Sequence, residues 1–429
     1  MIMLEIAVIA DDLTGAADTG IQFCPSFPDM VLMSHENLPS SLADKGDFPF
    51  QGLALYTNTR SLKADLAGEC LKKVGKRFHG FHPKWVYKKV DSCLRGNIGA
   101  EVEALMDQMG YDISFISPAF PDMGRTTFHD IHLVNGIPVA ETELSKDPVT
   151  PVTTSRLSEA VGLKSHSRVG HVDLRFLEGD EQDLIKQTNR LVLEGARHLV
   201  FDVTRETHLD RIVGLALGSP GKILLVGSAG LAGSLARFLP KEQRSDLIDE
   251  TPMGKGTHLL VCGTASERTA LQISRLARAY PCEVISLPPD VLADPSERKT
   301  LSDKVEVAQL AITIGDVIIH IRQGGTPSPG PAESIVSGMA SFVAAVLEKA
   351  RPASLFLTGG DTAHAVLDSL GAGGIRLSKE IVPGMVLGRL VGGTADGIFV
   401  VTKAGAFGRD EALIEWHQFW ENRTLGAGV

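Results

Sequence analysis

The sequence predicts an α/β protein of two domains with mostly parallel sheets. Three observations carry that expectation. The chain has 429 residues, more than one ordinary core holds, and 43% of them are hydrophobic, enough for two cores. Short apolar runs alternate with longer stretches of helical periodicity, the pattern of layered βαβ units. A polar stretch at 240–256, "PKEQRSDLIDETPMGKG", divides those runs into two sets.

The first set, at 4–10, 52–57, 85–89, 113–116, 198–202 and 223–226, gives the strands of a domain spanning 1–239. The second, at 258–262, 283–286, 316–321, 354–357 and 398–402, gives those of a domain spanning 257–429, with 240–256 as the linker. The segment 120–152 departs from this rhythm. Turn residues cluster there, and "HLVNGIPV" reads as a β-hairpin around Asn135 and Gly136, placed to cover a site as a lid. "GSAGLAG" at 227–233 reads as a hinge or interdomain turn.

Charge and composition exclude several functions. A net charge of −10 argues against broad nucleic-acid binding, which needs a basic face, and leaves room for a local cationic pocket. The five cysteines lack paired metal-ligand spacing, so reduced cytoplasmic thiols are expected. No stretch reaches the ~18 apolar residues of a membrane span. His129, His132, His320 and His364 show no HxxxH spacing and are expected to hydrogen-bond structurally, and the aromatics of "EWHQFW" to pack.

Ligands of parallel sheets bind beyond the carboxyl ends of strands. Asp11 and Asp12 end the first apolar run, before Thr14 and Gly15. Adjacent carboxylates repel, so one is expected to cap the following helix while the other faces a cleft. A second run ends in "KKVDSCLRGN", bringing Lys89, Asp91, Ser92 and Arg95; "YTNTRS" adds Arg60. Cations able to fork onto a carboxylate, mixed with acids able to take hydroxyl hydrogen bonds, suit a small polyhydroxy anion. Arg125, in "SPAFPDMGRTT", is a further candidate for that cleft.

In the second half, glycine-bearing turns follow four apolar runs: Gly263 to Ser266, Gly324 and Gly325, Gly359-Gly360-Asp361-Thr362, and Lys403 to Gly408. Such turns let backbone amides approach phosphate at a helix start. Neither GxxxxGK[ST] nor a spaced GxGxxG occurs, which disfavours a nicotinamide oxidoreductase.

"IADDLTGAADTG", "KKVDSCLRGNIGAE", "PAFPDMGRTT", "NGIPVAETELSKDPVTPV", "GSAGLA", "TGGDTA" and "TKAGAFG" occur in that order over nearly the whole chain. In this the chain resembles the four-carbon acid sugar kinase family, formerly a domain of unknown function, and its opening segment is most like that of D-threonate kinases. The resemblance implies an N-terminal sugar-acid domain, a C-terminal nucleotide domain, an active site in the cleft between them, and phosphorylation of the 4-hydroxyl by ATP and Mg²⁺. Carried over by motif, Asp11, Asp12, Arg60, Lys89, Asp91 and Arg95 would line the acid site, and Ser266, Gly359, Gly360, Asp361, Thr362 and Gly405 would contact ATP. Cys93 stands where Thr or Ser is common, and Ala404 and Ala406 flank Gly405 where Ser and Gly are frequent. Asp12 is favoured over Asp91 as the base, because Lys89 and Arg95 flank Asp91 and lower its proton affinity. D-erythronate and 3-oxo-tetronate are alternative substrates; a sugar-acid sensor is the non-enzymatic alternative. Metal ligands and oligomeric state, a homo-oligomer included, stay open.

Overall fold

Continuous apolar runs build the sheets, because strands covered on both faces need no alternation. The computed structural model describes residues 4–38, 50–78, 80–147, 149–242, 256–264, 266–321, 332–405 and 407–426. The chain divides into two units, Met1–Gln243 and Arg244–Val429. Most of the expected linker, together with Gly324 and Gly325, lies outside the described residues.

The N-terminal unit has strands β1 (Ile6–Ala10), β2 (Met30–Ser34), β3 (Gly52–Tyr56), β4 (Trp85–Lys89) and β5 (Ile113–Ser117). A separate small sheet follows, of β6 (Arg125–Phe128), β7 (Ile131–Val134) and β8 (Ile137–Pro138); then come β9 (Arg168–Val172), β10 (Ala196–Phe201) and β11 (Ile223–Gly227). The main sheet is parallel throughout, in the order β2-β3-β1-β4-β11-β5-β10-β9. Every residue of β1 is buried. Helix Leu13–Phe23 packs on helix Ala229–Phe238, and helix Ala64–Phe78 on helix Ile98–Met109.

The C-terminal unit has β12 (His258–Cys262), β13 (Cys282–Leu287), β14 (Asp316–Ile321), β15 (Ser354–Thr358), β16 (Gly374–Val382), β17 (Met385–Val391) and β18 (Phe399–Lys403). Its order is β13-β14-β12-β15-β18-β17-β16, parallel as far as β18 and antiparallel beyond it. Trp416 and Trp420 of the last helix are buried in its core, against Phe356 and Phe399.

The chain turns between β7 and β8 at Asn135 (φ 52°) and Gly136 (φ 82°), the left-handed pair of a type I′ hairpin, where that hairpin was expected. The "GSAGLAG" segment differs from its expectation as a hinge. Gly227 ends β11 and Ser228 caps helix Ala229–Phe238, accepting from Gly230 N at 3.2 Å, so the turn is an ordinary strand-to-helix junction inside the N-terminal unit. Among the described residues β2, β6, β9, β16 and β17 have no counterpart in the sequence reading. In β16 the buried Ile375 and Leu377 alternate with the exposed Arg376, a two-residue period that a search for continuous apolar runs passes over.

Candidate active site

β1 is the point where the N-terminal sheet changes direction, since the chain builds β3 on one side of it and β4 on the other. Parallel sheets open a crevice at such a point. The loops leaving β1, β3 and β4 carry Asp11 and Asp12, Arg60, and Asp91 with Arg95, respectively; Lys89 is the last residue of β4.

One guanidinium joins both leading aspartates. Arg60 Nε and Nη2 donate to Asp11 at 2.6 and 2.9 Å; Nη1 and Nη2 donate to Asp12 at 3.0 and 2.7 Å. Asp12 also caps helix Leu13–Phe23, accepting from Gly15 N at 3.0 Å, and takes the Thr14 hydroxyl at 2.7 Å. Asp91 is forked by Arg95 through Nε and Nη2, both at 2.9 Å, and accepts the amides of Cys93 and Arg95 at 3.2 Å. Burial works to raise the Asp91 pKa, but the Arg95 and Arg60 charges outweigh it and hold the carboxyl well below its usual range. Asp11 is likewise held low: Arg60, Lys89 and Lys88 together overcome its burial.

Both arginines are thus already matched by carboxylates. Lys89 is not. It is buried, at 4% exposure, and its Nζ makes no hydrogen bond or ion pair among the described residues. That nitrogen lies against the first turn of helix Leu13–Phe23: a Cβ on Gly15 would stand 2.7 Å from it and 2.5 Å from Asp12 Oδ1. Lys88, one residue earlier, points to the opposite face of the sheet and pairs with Glu101 of helix Ile98–Met109 at 2.8 Å, both fully buried. Neither Lys88 nor the role of Glu101 emerges from the sequence, where Lys89 alone is taken as the cation ending this strand. The expected hairpin is tied to this loop by His132, whose Nε2 meets the Ser92 carbonyl at 2.8 Å. Arg125 turns back to the Met123 carbonyl.

In the C-terminal unit three neighbouring parallel strands, β12, β15 and β18, end in the glycine-bearing turns. Gly359 (φ +99°) takes a backbone conformation that a side chain would strain. The turns touch. Thr362 Oγ1 lies 3.5 Å from the Gly263 carbonyl, and a Cβ on Gly405 would stand 2.5 Å from Thr264 Oγ1. Two helices start here, Glu267–Ala279 and Gly360–Ser369; neither cap residue, Ser266 or Gly359, makes a side-chain cap, and the Ser266 amide donates to Thr264 Oγ1 at 3.2 Å. Uncapped amides at adjacent helix starts suit an extended phosphate chain. Thr362 is buried and turned inward, so its hydroxyl fastens loop to loop. Lys403, missed as a fastener, is 1% exposed, and its Nζ donates to the carbonyls of Ala404, Gly405 and Phe407 at 3.0, 3.3 and 3.1 Å. Ala265 and Ala406 lie outside the described residues.

A third cluster has metal-binding donors. His129, Asp173 and Asp202 bring ligand atoms within 4.8 Å of one another. Asp202 is already occupied: it accepts from the amides of His129, Asp130 and Leu174, and His171 Nε2 sits 2.9 Å from it. It pins backbone.

A model of a sugar-binding N-terminal domain matches residues 6–235, and one of a nucleotide-binding C-terminal domain matches residues 259–413. A D-threonate kinase from Salmonella typhimurium is 32% identical, over 99% of this chain and 100% of its own. The chain belongs to the four-carbon acid sugar kinase family. A second relative of this family, a D-threonate kinase from Bordetella bronchiseptica, is 31% identical over 98% of both chains. A solved Salmonella typhimurium structure, described as a putative tRNA synthase, superposes with a TM-score of 0.77 at 24% identity, covering 97% of this chain and 100% of its own; at that identity the likeness speaks for the fold. Among the described residues of this family member no helix is long and apolar enough to cross a membrane.

Proposed function

We propose that the protein is an ATP-dependent kinase that phosphorylates the 4-hydroxyl of a four-carbon sugar acid, D-threonate first, with D-erythronate and 3-oxo-tetronate as alternatives. One observation carries this reading: among the described residues Lys89 is a buried cation whose ammonium makes no hydrogen bond or ion pair, at the switch point of a sheet whose arginines and aspartates pair with one another. A buried ammonium without a hydrogen bond stands at a cost that an anionic group arriving beside Asp12, the phosphoryl group in transfer, removes.

Asp11, Asp12, Arg60, Lys89, Asp91 and Arg95 bind the acid. Each Asp12 oxygen takes two donors, which fills the acceptor capacity of a carboxylate. An incoming hydroxyl therefore displaces an Arg60 N–H from Asp12, and the freed lone pair takes the hydroxyl proton as the oxygen bonds to the γ-phosphorus and the bond to the β–γ bridging oxygen breaks, releasing ADP. The displaced guanidinium keeps its fork on Asp11. In the C-terminal unit, Ser266, Gly359, Gly360, Thr362 and Gly405 hold the ATP phosphates, mainly through backbone amides. Asp361 fits a phosphate-bound Mg²⁺, held through water, because its exposed carboxylate makes no hydrogen bond or ion pair among the described residues. The ion supplies charge neutralisation on the phosphates.

The test incubates the protein with ATP, Mg²⁺ and each four-carbon acid, reading ADP release and the phosphorylated product by ³¹P NMR. The expected result is acid-dependent ADP and a phosphate monoester at C4, with the largest kcat/KM for D-threonate. ADP release that no acid stimulates overturns the kinase reading.

Lys403 adds a pH dependence. Burial pushes its pKa down to about 8, so above that pH the ammonium loses a proton and one of its three carbonyl tethers. KM for ATP is expected to climb from pH 8 upward, and Lys403→Met to show a raised KM without that climb. The sign separates this from unfolding. Lys403 holds its proton less tightly folded than at the unfolded value of 10.5, so its contribution to stability improves as pH rises through that window. A wild-type KM that stays flat to pH 9.5 contradicts the prediction.

A further inference from the structure

Beyond Arg60 the N-terminal unit holds a cavity of about 280 Å³ that none of the sequence motifs for the acid site predicts in full. Its wall includes Arg60, Gly96, Asn97, Lys164 and the strap 149–154. Among the lining residues Arg60 and Lys164 are charged, and none is Asp or Glu. Arg60 is neutralised by Asp11 and Asp12 on its far side, so the charge facing the cavity comes from Lys164.

Lys164 is held in place. Its Nζ donates to the Gly96 carbonyl at 2.9 Å and to Asn97 Oδ1 at 3.1 Å, and no carboxylate among the described residues pairs with it. The Asn97 amide cannot turn away, because its Nδ2 donates to the carbonyls of Thr59 and Leu62 at 3.0 and 2.9 Å. An ammonium has three N–H donors. Two are spent on neutral oxygens, leaving one for a ligand. Across the cavity the strap is fixed by Asp147, whose Oδ1 accepts the amides of Val149 and Thr150, both at 2.9 Å. The hydroxyls of Ser61, Thr150 and Thr153, all in the lining, have no partner among the described residues. A small volume with one net positive charge, free hydroxyls and no acid takes a small hydroxylated anion.

The cavity adjoins the acid site through Gly96. A Cβ there would stand 3.3 Å from Asp11 Oδ2 and 3.5 Å from the Arg60 side chain. We propose that the cavity receives the carboxylate end of the sugar acid, with Lys164 as its charge partner, while the 4-hydroxyl end reaches past Arg60 toward Asp12. This rests on the kinase reading and deepens it. It makes Lys164 the residue that distinguishes an acid from the corresponding polyol, and the 149–154 strap the wall that limits chain length.

The experiment compares wild type, Lys164→Met and Lys164→Arg. It measures steady-state kinetics with D-threonate and with the uncharged polyol threitol, calorimetric binding of D-threonate without ATP, and melting temperature as a folding control. Loss of one charge-assisted hydrogen bond predicts that Lys164→Met raises KM and Kd for the acid about 10- to 100-fold. It also predicts a larger change in KM than in kcat, an unaltered KM for ATP, and loss of the preference for acid over polyol; Lys164→Arg recovers part of the affinity. An unchanged Kd for the acid in a folded Lys164→Met protein overturns the proposal, and so does wild-type protein that binds no four-carbon acid. Wild type that binds the acid without phosphorylating it refutes the kinase reading alone, and the calorimetric comparison still decides the role of Lys164.

Discussion

Asp12→Asn is expected to lower kcat by about 10²- to 10⁴-fold, the span associated with loss of a general base, while leaving the affinity for ATP unchanged. The substitution is informative because it separates two jobs of one side chain. Asp12 caps helix Leu13–Phe23 through Oδ1 and meets Arg60 through both oxygens. Asparagine caps a helix about as well as aspartate, so the Gly15 amide keeps its acceptor and the fold is retained. Arg60 keeps its fork on Asp11. What the variant lacks is an anionic lone pair for the hydroxyl proton. Single-turnover kinetics and nucleotide calorimetry on one preparation read both halves of the prediction. Near-normal turnover would remove Asp12 from the role of base. It would shift attention to Asp91, whose proton affinity the neighbouring arginines depress.

The residues of this centre were readable in the sequence for a definite reason. Each lies one to a few residues beyond a continuous apolar run, and a parallel sheet brings such positions to one edge. Asp11, Arg60 and Lys89 come together because β3, β1 and β4 are neighbours. The wiring among them was not readable. Two aspartates in a row suggested divergence, yet both meet a single guanidinium, since the loop after β3 returns over the end of β1; Thr59 N donates to the Asp11 carbonyl at 3.0 Å. Arg95, expected to hold a ligand carboxylate, also forks onto Asp91, a pairing the sequence does not reveal. Lys164 lies in none of the quoted motifs, and the role of Lys403 within "TKAGAFG" does not show there, because their contacts are mostly to backbone carbonyls that any residue supplies. β16 escaped for a related reason: its buried Ile375 and Leu377 alternate with the exposed Arg376, a two-residue period unlike the apolar runs of the parallel core.

The pair beneath the site should have the larger effect on stability. Lys88→Met or Glu101→Leu alone is expected to cost about 3–5 kcal/mol, because either leaves a buried charge without its partner, while the double variant recovers most of that loss. Lys88 and Glu101 are 0% and 2% exposed, and Lys88 Nζ also donates to the Lys89 carbonyl at 2.9 Å. Burial raises the Glu101 pKa, with Lys88 pulling against it, so the pair is bought at a desolvation cost that an apolar substitute avoids. Its value lies in position. Lys88 is on β4 and Glu101 on the helix that follows; the loop between them carries Asp91 and Arg95. The pair closes that loop at its base and fixes the strand end from which Lys89 projects to the other face. Hydrogen exchange in peptides covering β1 and β4 is the suitable probe, since a two-unit chain has no single two-state midpoint. The apolar pair is then expected to restore protection there yet leave KM for the acid raised, because the methionine loses its tether to the Lys89 carbonyl. If either single variant is as protected as wild type, the pair does not hold the strand end, and the placement of Lys89 has another cause.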